Sequence, residues 1–431
     1  MTLLRRITPV VHRLDHAIGR LSPRRDVLVE MRTPVYHAVL GPVAEALAAE
    51  PDTRVWYTSE HPDHIEPLVP DGTFLTRADV EWRRFDLYLN GDPWAPAALR
   101  RCARRVNFFH GVAGKYDLDQ PAGLPLGFEN YDRVAFINRD RMLRYLAANV
   151  VTTEQAVLVG YPKLDKLAAR GYDAAAIRAV LGLGATRPTA LYAPTYSEAS
   201  SLHLAGEAIV GALADAGFNV IVKLHDRSLD SDSRYNAGVD WRARLTALEL
   251  ARGCDRVRFV ETADASPLLA AADLMITDHS SIGFEFLVLD RPLLVYDAPD
   301  LPTEARINPE KIALLRSAAS VATTPEELAR LAGMALAEPQ RLSNARQRVA
   351  RELFHDPGNA TKRSVDLIRG LLFPLKRRTR ASSKQPPAGV ASDVSGATAV
   401  FELLTGPVDS SGTRQLETTW NEARRSLSDH V

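Results

Sequence analysis

The chain has 431 residues, room for two domains. Its 53 Lys and Arg balance 53 Asp and Glu, which excludes a nucleic-acid binder that works through bulk positive charge. With 46% hydrophobic and 25% charged residues it has the composition of a soluble globular protein, and Cys102 and Cys254, its only cysteines, exclude a disulfide scaffold.

Residues 1–25 set Leu3, Leu4, Ile7, Val10, Val11, Leu14 and Ile18 at spacings of three and four among arginines. The spacing predicts a basic amphipathic helix or arm, either packed on the first domain or laid on a membrane surface. No run of about 18 uncharged apolar residues occurs anywhere, so no membrane span is expected. The early Arg13 and Asp15 interrupt any secretory signal, and a cytoplasmic location is expected.

From residue 26 the period alternates. Short apolar runs at Asp26–Val29, Arg54–Tyr57, Asp86–Leu89, Val106–Phe109, Val134–Ile137 and Val157–Val159 read as strands, with helices between them, such as Val35–Ala49 and Arg139–Ala148. Gly182, Gly184 and Pro188 punctuate the chain, and a second series follows at Thr189–Tyr192, Val220–Leu224, Val257–Val260, Leu274–Thr277 and Leu293–Tyr296. The predicted helices of this series include Leu202–Ala216, Trp241–Arg252, Ile282–Leu289 and Pro325–Ala337. This is a βαβ pattern, and it predicts two α/β domains with mostly parallel sheets, joined near residue 185. Residues 340–373 read as helical throughout. Residues 381–400 contain 13 Ala, Ser, Gly or Pro and lack the apolar side chains a core needs.

Ligands of open parallel sheets bind beyond the carboxyl ends of strands. His110-Gly111, Gly160-Tyr161-Pro162-Lys163-Leu164-Asp165, Ala193-Pro194-Thr195-Tyr196 and His225-Asp226-Arg227 follow four of the predicted strands, and Asp278-His279-Ser280-Ser281 follows a fifth. Together they predict a cleft rich in His, Ser and Lys between two facing sheets. Ser280 or Ser281 can cap the helix that follows, and that helix's free N–H groups with two hydroxyls suit an anion; the plainer reading is a cap alone. His110 suits proton abstraction, with Gly111 letting backbone approach a ligand; the plainer reading is a satisfied histidine at a strand end. Lys223 and His225 point to one side of an extended segment and can hold a diphosphate, or be a solvated lysine and a turn residue. Several other patterns fail. Gly182-Leu183-Gly184 precedes a strand and is no dinucleotide fingerprint, His61-Pro62-Asp63-His64 lacks a further ligand, and Asp230-Ser231-Asp232 reads as a solvated loop.

This ordered set of motifs, above all Thr277-Asp278-His279-Ser280-Ser281 with Asp290-Arg291-Pro292, resembles the CDP-glycerol glycerophosphotransferase family of teichoic-acid polymerases. The resemblance covers roughly residues 100–300. It implies a GT-B fold of two Rossmann-like domains facing across a cleft: a basic arm 1–25, an acceptor-side domain 26–184, a nucleotide-binding domain 185–345, closing helices 346–375 and a low-complexity tail 376–431. It implies transfer of glycerol phosphate, or a similar polyol phosphate, from a CDP-linked donor to a hydroxyl of a polymer or lipid-linked acceptor. CMP is released, and no metal or cofactor is expected. His110 and His225 are then the catalytic pair, and Gly111, Lys163, Thr195, Lys223, Asp278, Ser280 and Ser281 bind substrate. Lys163, Asp226 and His279 stand where the family usually has Arg, Pro and Tyr, which leaves the polyol and the acceptor open. The acceptor places the enzyme beside an anionic membrane surface, reached through residues 1–25 or through Leu367–Arg380, although Leu367–Leu375 also reads as a closing helix on the first domain. Two alternatives stay open: a GT-B glycosyltransferase or epimerase using a nucleotide sugar, and an inactive nucleotide-binding assembly module.

Overall fold

Every strand in the two large sheets of this protein pairs in parallel. The computed structural model describes residues 22–93, 96–112, 114, 118–122, 127–230 and 236–373. The first sheet comprises β1 (Arg25–Glu30), β2 (Thr53–Thr58), β3 (Leu87–Asn90), β4 (Arg105–Phe108), β5 (Arg133–Phe136) and β6 (Ala156–Leu158), in the order β2-β1-β3-β4-β5-β6. The second comprises β7 (Thr189–Tyr192), β8 (Asn219–Val222), β9 (Val257–Phe259), β10 (Leu274–Thr277), β11 (Leu293–Tyr296) and β12 (Ser320–Ala322), in the order β9-β8-β7-β10-β11-β12. Numbered from its own start, the second sheet runs 3-2-1-4-5-6, the doubly wound nucleotide-binding order. The central strands β3, β7, β8, β10 and β11 are buried along their whole length. That is why they read as continuous apolar runs rather than alternating ones.

Helices cover both faces of each sheet. Val39, Val112, Tyr161 and Leu164 from the first half share one buried cluster with Leu191, Met275, Phe284 and Leu315 from the second, so the halves meet through apolar packing. The stretch 340–373 is not helical throughout: it forms Ser343–Leu353 and Ala360–Leu372. Pro357 cannot continue a helix hydrogen-bond ladder, and Asp356 and Gly358 at φ 43° and 100° turn the chain between the two. The second helix crosses back to the first sheet and buries Ile368 and Leu372 beside Val27, Leu40 and Leu89. Asp165 fixes its start. Its carboxylate accepts the N–H groups of Gly358, Ala360 and Thr361 at 2.9, 3.1 and 2.6 Å.

Residues 1–21, the basic cluster at Lys376–Arg380 and the tail lie outside the described residues, as do Ser231 and Asp232. Arg25, assigned to the arm, belongs to β1. Among the described residues no helix is long and apolar enough to cross a membrane.

Candidate active site

In a sheet of order 3-2-1-4-5-6 the topological switch lies between its first and fourth strands, here β7 and β10. A cavity of about 250 Å³ opens there, between the carboxyl ends of the two sheets. Its wall includes Gly91, His110, Gly111 and Lys163 from the first half and Tyr196, Lys223, His225, Ser280, Ser281 and Glu285 from the second. The halves come close: a Cβ placed on Gly111 would stand 3.8 Å from the Ser281 hydroxyl.

His110 lies two residues beyond β4. Its Nδ1 stands 3.1 Å from the carbonyl oxygen of Gly91, which can only accept, so Nδ1 carries the hydrogen and Nε2 holds the lone pair. Tyr36 packs on the imidazole with centroids 4.7 Å apart. Residue 91 must be glycine, because a Cβ there would fall 2.3 Å from the Tyr36 ring. Burial lowers the pKa of His110 below the ordinary value, more than the Gly91 hydrogen bond and nearby Asp92 raise it. The Tyr161 hydroxyl donates to the His110 carbonyl at 2.9 Å, which ties the Gly160–Asp165 motif to the loop after β4. Arg141 donates to the Gly111 carbonyl while paired with buried Asp119 at 2.8 Å, so the same loop is held from its other side.

The second half supplies charge and hydroxyls. β8 stops at Val222 rather than Leu224, yet Lys223 and His225 still face the same cavity because the chain stays extended there. The backbone N–H of Arg227 donates to Nδ1 of His225 at 3.2 Å. The neutral ring therefore carries its hydrogen on Nε2, the opposite tautomer from His110. Tyr196 lies against the His225 ring at 4.3 Å, and Arg227 bonds the Tyr196 hydroxyl at 3.0 Å. Lys223 is buried, and its ammonium has Asp226 at 4.0 Å. Burial pulls its pKa below the ordinary value; Asp226 works against this and the charge of Lys163 adds to it.

The serine expectation needs correction. The helix Ser281–Phe286 has six residues, then a 3-10 turn Leu287–Leu289. Ser280 occupies its N-cap position, but its hydroxyl makes no capping bond. Both serines line the cavity. Asp278 and Thr195, expected to bind substrate, stand behind that wall and are buried. The Asp278 carboxylate accepts the backbone N–H groups of Thr195, Ser201 and His279 and the Ser201 hydroxyl, at 2.9, 3.1, 2.6 and 3.0 Å. A buried carboxylate is tolerated only when so satisfied, and here it ties together the two segments that follow β7 and β10 at the switch point. Lys163 lines the cavity with its ammonium 2.7 Å from Glu285. Burial opposes its charge, but Glu285 and Asp264 outweigh this and raise its pKa.

The structure therefore gathers His110, Gly111, Lys163, Lys223, His225, Ser280 and Ser281 and leaves Thr195 and Asp278 outside. Tyr196, named in the strand end Ala193-Pro194-Thr195-Tyr196, lines the cavity, whereas Tyr36, Gly91, Arg141 and Glu285 were not singled out from the sequence. Only Glu285 carried a local cue, a carboxylate between Phe284 and Phe286 in an apolar helix. Among the described residues no group of three or more His, Cys, Asp or Glu could hold a metal ion. Cys102 and Cys254 are unpaired and partly buried.

Two parallel α/β halves with a cleft at the switch point give the chain a GT-B-type fold. Residues 128–370 match the family described as CDP-glycerol:poly(glycerophosphate) glycerophosphotransferase, and the chain belongs to that family. A teichoic acid glycerol-phosphate primase of Staphylococcus aureus is 28% identical over 147 residues, 34% of this chain and 33% of that protein, so the match spans a third of the relative's length. The structure of the wall teichoic acid polymerase TagF is similar with a TM-score of 0.60 at 18% identity, over 86% of this chain and 96% of that one. A UDP-GlcNAc 2-epimerase from Neisseria meningitidis bound to UDP-GlcNAc is similar with a TM-score of 0.51 at 13% identity, over 80% and 99%. Both likenesses bear on the fold.

Proposed function

We propose that the chain transfers glycerol phosphate from CDP-glycerol to a hydroxyl of a lipid-linked or polymeric acceptor and releases CMP. The observation that carries this reading is the pair of opposite tautomers across one cavity: a histidine able to accept a proton in the first half, a histidine able to donate in the second. The acceptor oxygen attacks the phosphorus that bears glycerol. Nε2 of His110 takes the hydroxyl proton, the new O–P bond forms, and the bond from that phosphorus to the bridging oxygen breaks. The electron pair leaves on CMP. Lys223 and the Nε2–H of His225 offset charge on the phosphoryl oxygens, while Ser280 and Ser281 donate to the diphosphate. Gly111 keeps the acceptor side open. Thr195 and Asp278 serve the site by fixing the loops that carry these groups. Such transfer needs mainly positioning and charge stabilisation, which this set supplies without a further nucleophile.

Family membership supports the donor, and a TagF variant soaked with CDPG is among the similar structures. The nucleotide-sugar reading draws on the likeness to epimerases, which is a likeness of fold. Incubating the protein with CDP-glycerol, CDP-ribitol and common sugar nucleotides tests all readings together. CMP release from CDP-glycerol in the presence of acceptor supports the proposal. UDP release or an epimerised sugar would replace it, and no turnover of any donor with nucleotide still bound would leave an assembly module. We further infer that the protein works at the cytoplasmic face of a membrane, where a lipid-linked acceptor is presented.

A further inference from the structure

Several charge pairs cross from one half of the molecule to the other. Arg144 and Glu310 meet at 2.6 Å, but Glu310 is 65% exposed, and a rim pair of this kind contributes little. Two crossing pairs have both side chains buried, Lys311–Asp119 at 3.8 Å and Lys163–Glu285 at 2.7 Å. Of these two, Lys163–Glu285, 7% and 4% exposed, is the one whose members both line the cavity. Lys163 belongs to the turn after β6, and Glu285 lies one helical turn past Ser281. Burying two charges costs desolvation that their attraction hardly repays, so stability alone does not account for the pair.

Its position does. Lys163 is tied to the segment whose Tyr161 holds the His110 carbonyl, and Glu285 to the helix that carries Ser281. The pair therefore joins the segment that holds the proton acceptor to the helix on the diphosphate side. It also sets charge. Lys163 and Lys223 are close enough for the one to disfavour the charge on the other, and Glu285 neutralises Lys163. We propose that Glu285 is a positioning residue: through Lys163 it clasps the two halves at the spacing that transfer requires, and it leaves Lys223 as the cation offered to the donor diphosphate. This rests on the reading of the cavity as a donor site, and it makes Lys163 a positioning residue too, rather than a direct phosphate ligand.

The test compares Glu285→Gln, Glu285→Asp, the exchanged pair Lys163→Glu with Glu285→Lys, and Glu310→Gln as a rim control. CDP-glycerol binding is measured by calorimetry, turnover by CMP release, and amide hydrogen exchange is followed over 160–165 and 280–286. Glu285→Gln is expected to keep Kd within about threefold while kcat falls by about tenfold to a hundredfold, the cost of a small misplacement of reacting groups. Glu285→Asp, which keeps the charge, and the exchanged pair should both recover part of that loss; Glu310→Gln should change nothing. Wild-type kcat in Glu285→Gln, or a folded exchanged pair no better than the single variant, would overturn the clasp. If the wild-type protein proves inert toward CDP-glycerol, the functional reading fails and exchange decides separately. Faster exchange in both segments of Glu285→Gln, reversed by the exchanged pair, supports the clasp, and unchanged exchange refutes it.

Discussion

A hydrogen bond to a backbone carbonyl decides what His110 can do. With Nδ1–H committed to Gly91, the lone pair sits on Nε2 and the ring is held by Tyr36. His110→Ala should therefore lower turnover by about 10²–10⁴, the contribution of a positioned general base, while donor affinity measured by calorimetry stays near that of the wild type. The pH dependence follows from burial. The folded pKa lies below the 6.5 of an exposed histidine, so the acid limb of kcat should fall below pH 6.5 and vanish from the profile of the variant. The same shift has a sign for stability. Below pH 6.5 the unfolded chain binds more protons than the folded one at this site, so acid destabilises the fold and the loss is recovered above 6.5. Denaturant titrations of wild type and His110→Ala across that range check it. Ser280→Ala with Ser281→Ala should weaken CDP-glycerol binding while leaving the denaturation midpoint nearly unchanged, because neither hydroxyl serves as a helix cap. An unaltered Kd would remove both serines from the donor site.

Among the elements, the last described helix is held by a residue far away in sequence. Asp165 ends a motif that, in sequence, belongs with the substrate site, yet its carboxylate takes three backbone N–H groups at the start of Ala360–Leu372. This is a helix cap supplied in trans along the chain. Asp165→Ala should cost about 0.5–2 kcal/mol, the range of a lost helix cap, because its N–H partners are exposed or only partly buried. The expected reading is a lower urea midpoint, with kcat affected less than by His110→Ala. A kcat loss without a stability loss would instead place Asp165 in the chemistry. Gly160 shows why this junction admits no side chain. At φ 92° a Cβ there would meet the carbonyl oxygen of His355 at 2.5 Å, where the returning segment crosses over it.

Across the whole molecule, the returning helix Ala360–Leu372 crosses back and packs on the first half, against Pro34–Ala48. Ile368 and Leu372 are buried against the first sheet. Lys376, Arg377, Arg378 and Arg380 follow directly in sequence. With residues 1–25 they should give salt-sensitive binding to vesicles containing anionic lipid, each basic residue near the surface adding on the order of 1 kcal/mol. Co-sedimentation at low and high salt measures it, and neutralising the four residues should reduce it. No binding at low salt would sink the membrane role, and salt-independent binding would indicate insertion of apolar side chains instead.

The strand series, the parallel sheets and five motif-bearing strand ends were legible in the sequence, because strands buried on both faces leave apolar runs and turns leave Gly, Pro and Ser at their ends. Trp241–Arg252 and Pro325–Ala337 match their predicted bounds, since a capping residue or Pro marks each start. What the motifs do was not legible to the same degree. Asp278 and Ser280 are near neighbours in one motif, yet the Asp278 carboxylate collects four donors inside the protein and Ser280 lines the cavity. Lys163 and Glu285 are 2.7 Å apart in space and in different halves of the chain. The tautomers of His110 and His225 depend on which backbone group each ring meets. Local pattern determined the elements because their burial is periodic along the chain. The site was decided by tertiary structure, because hydrogen-bond partners, burial and charge pairing are set by neighbours that sequence order does not bring together.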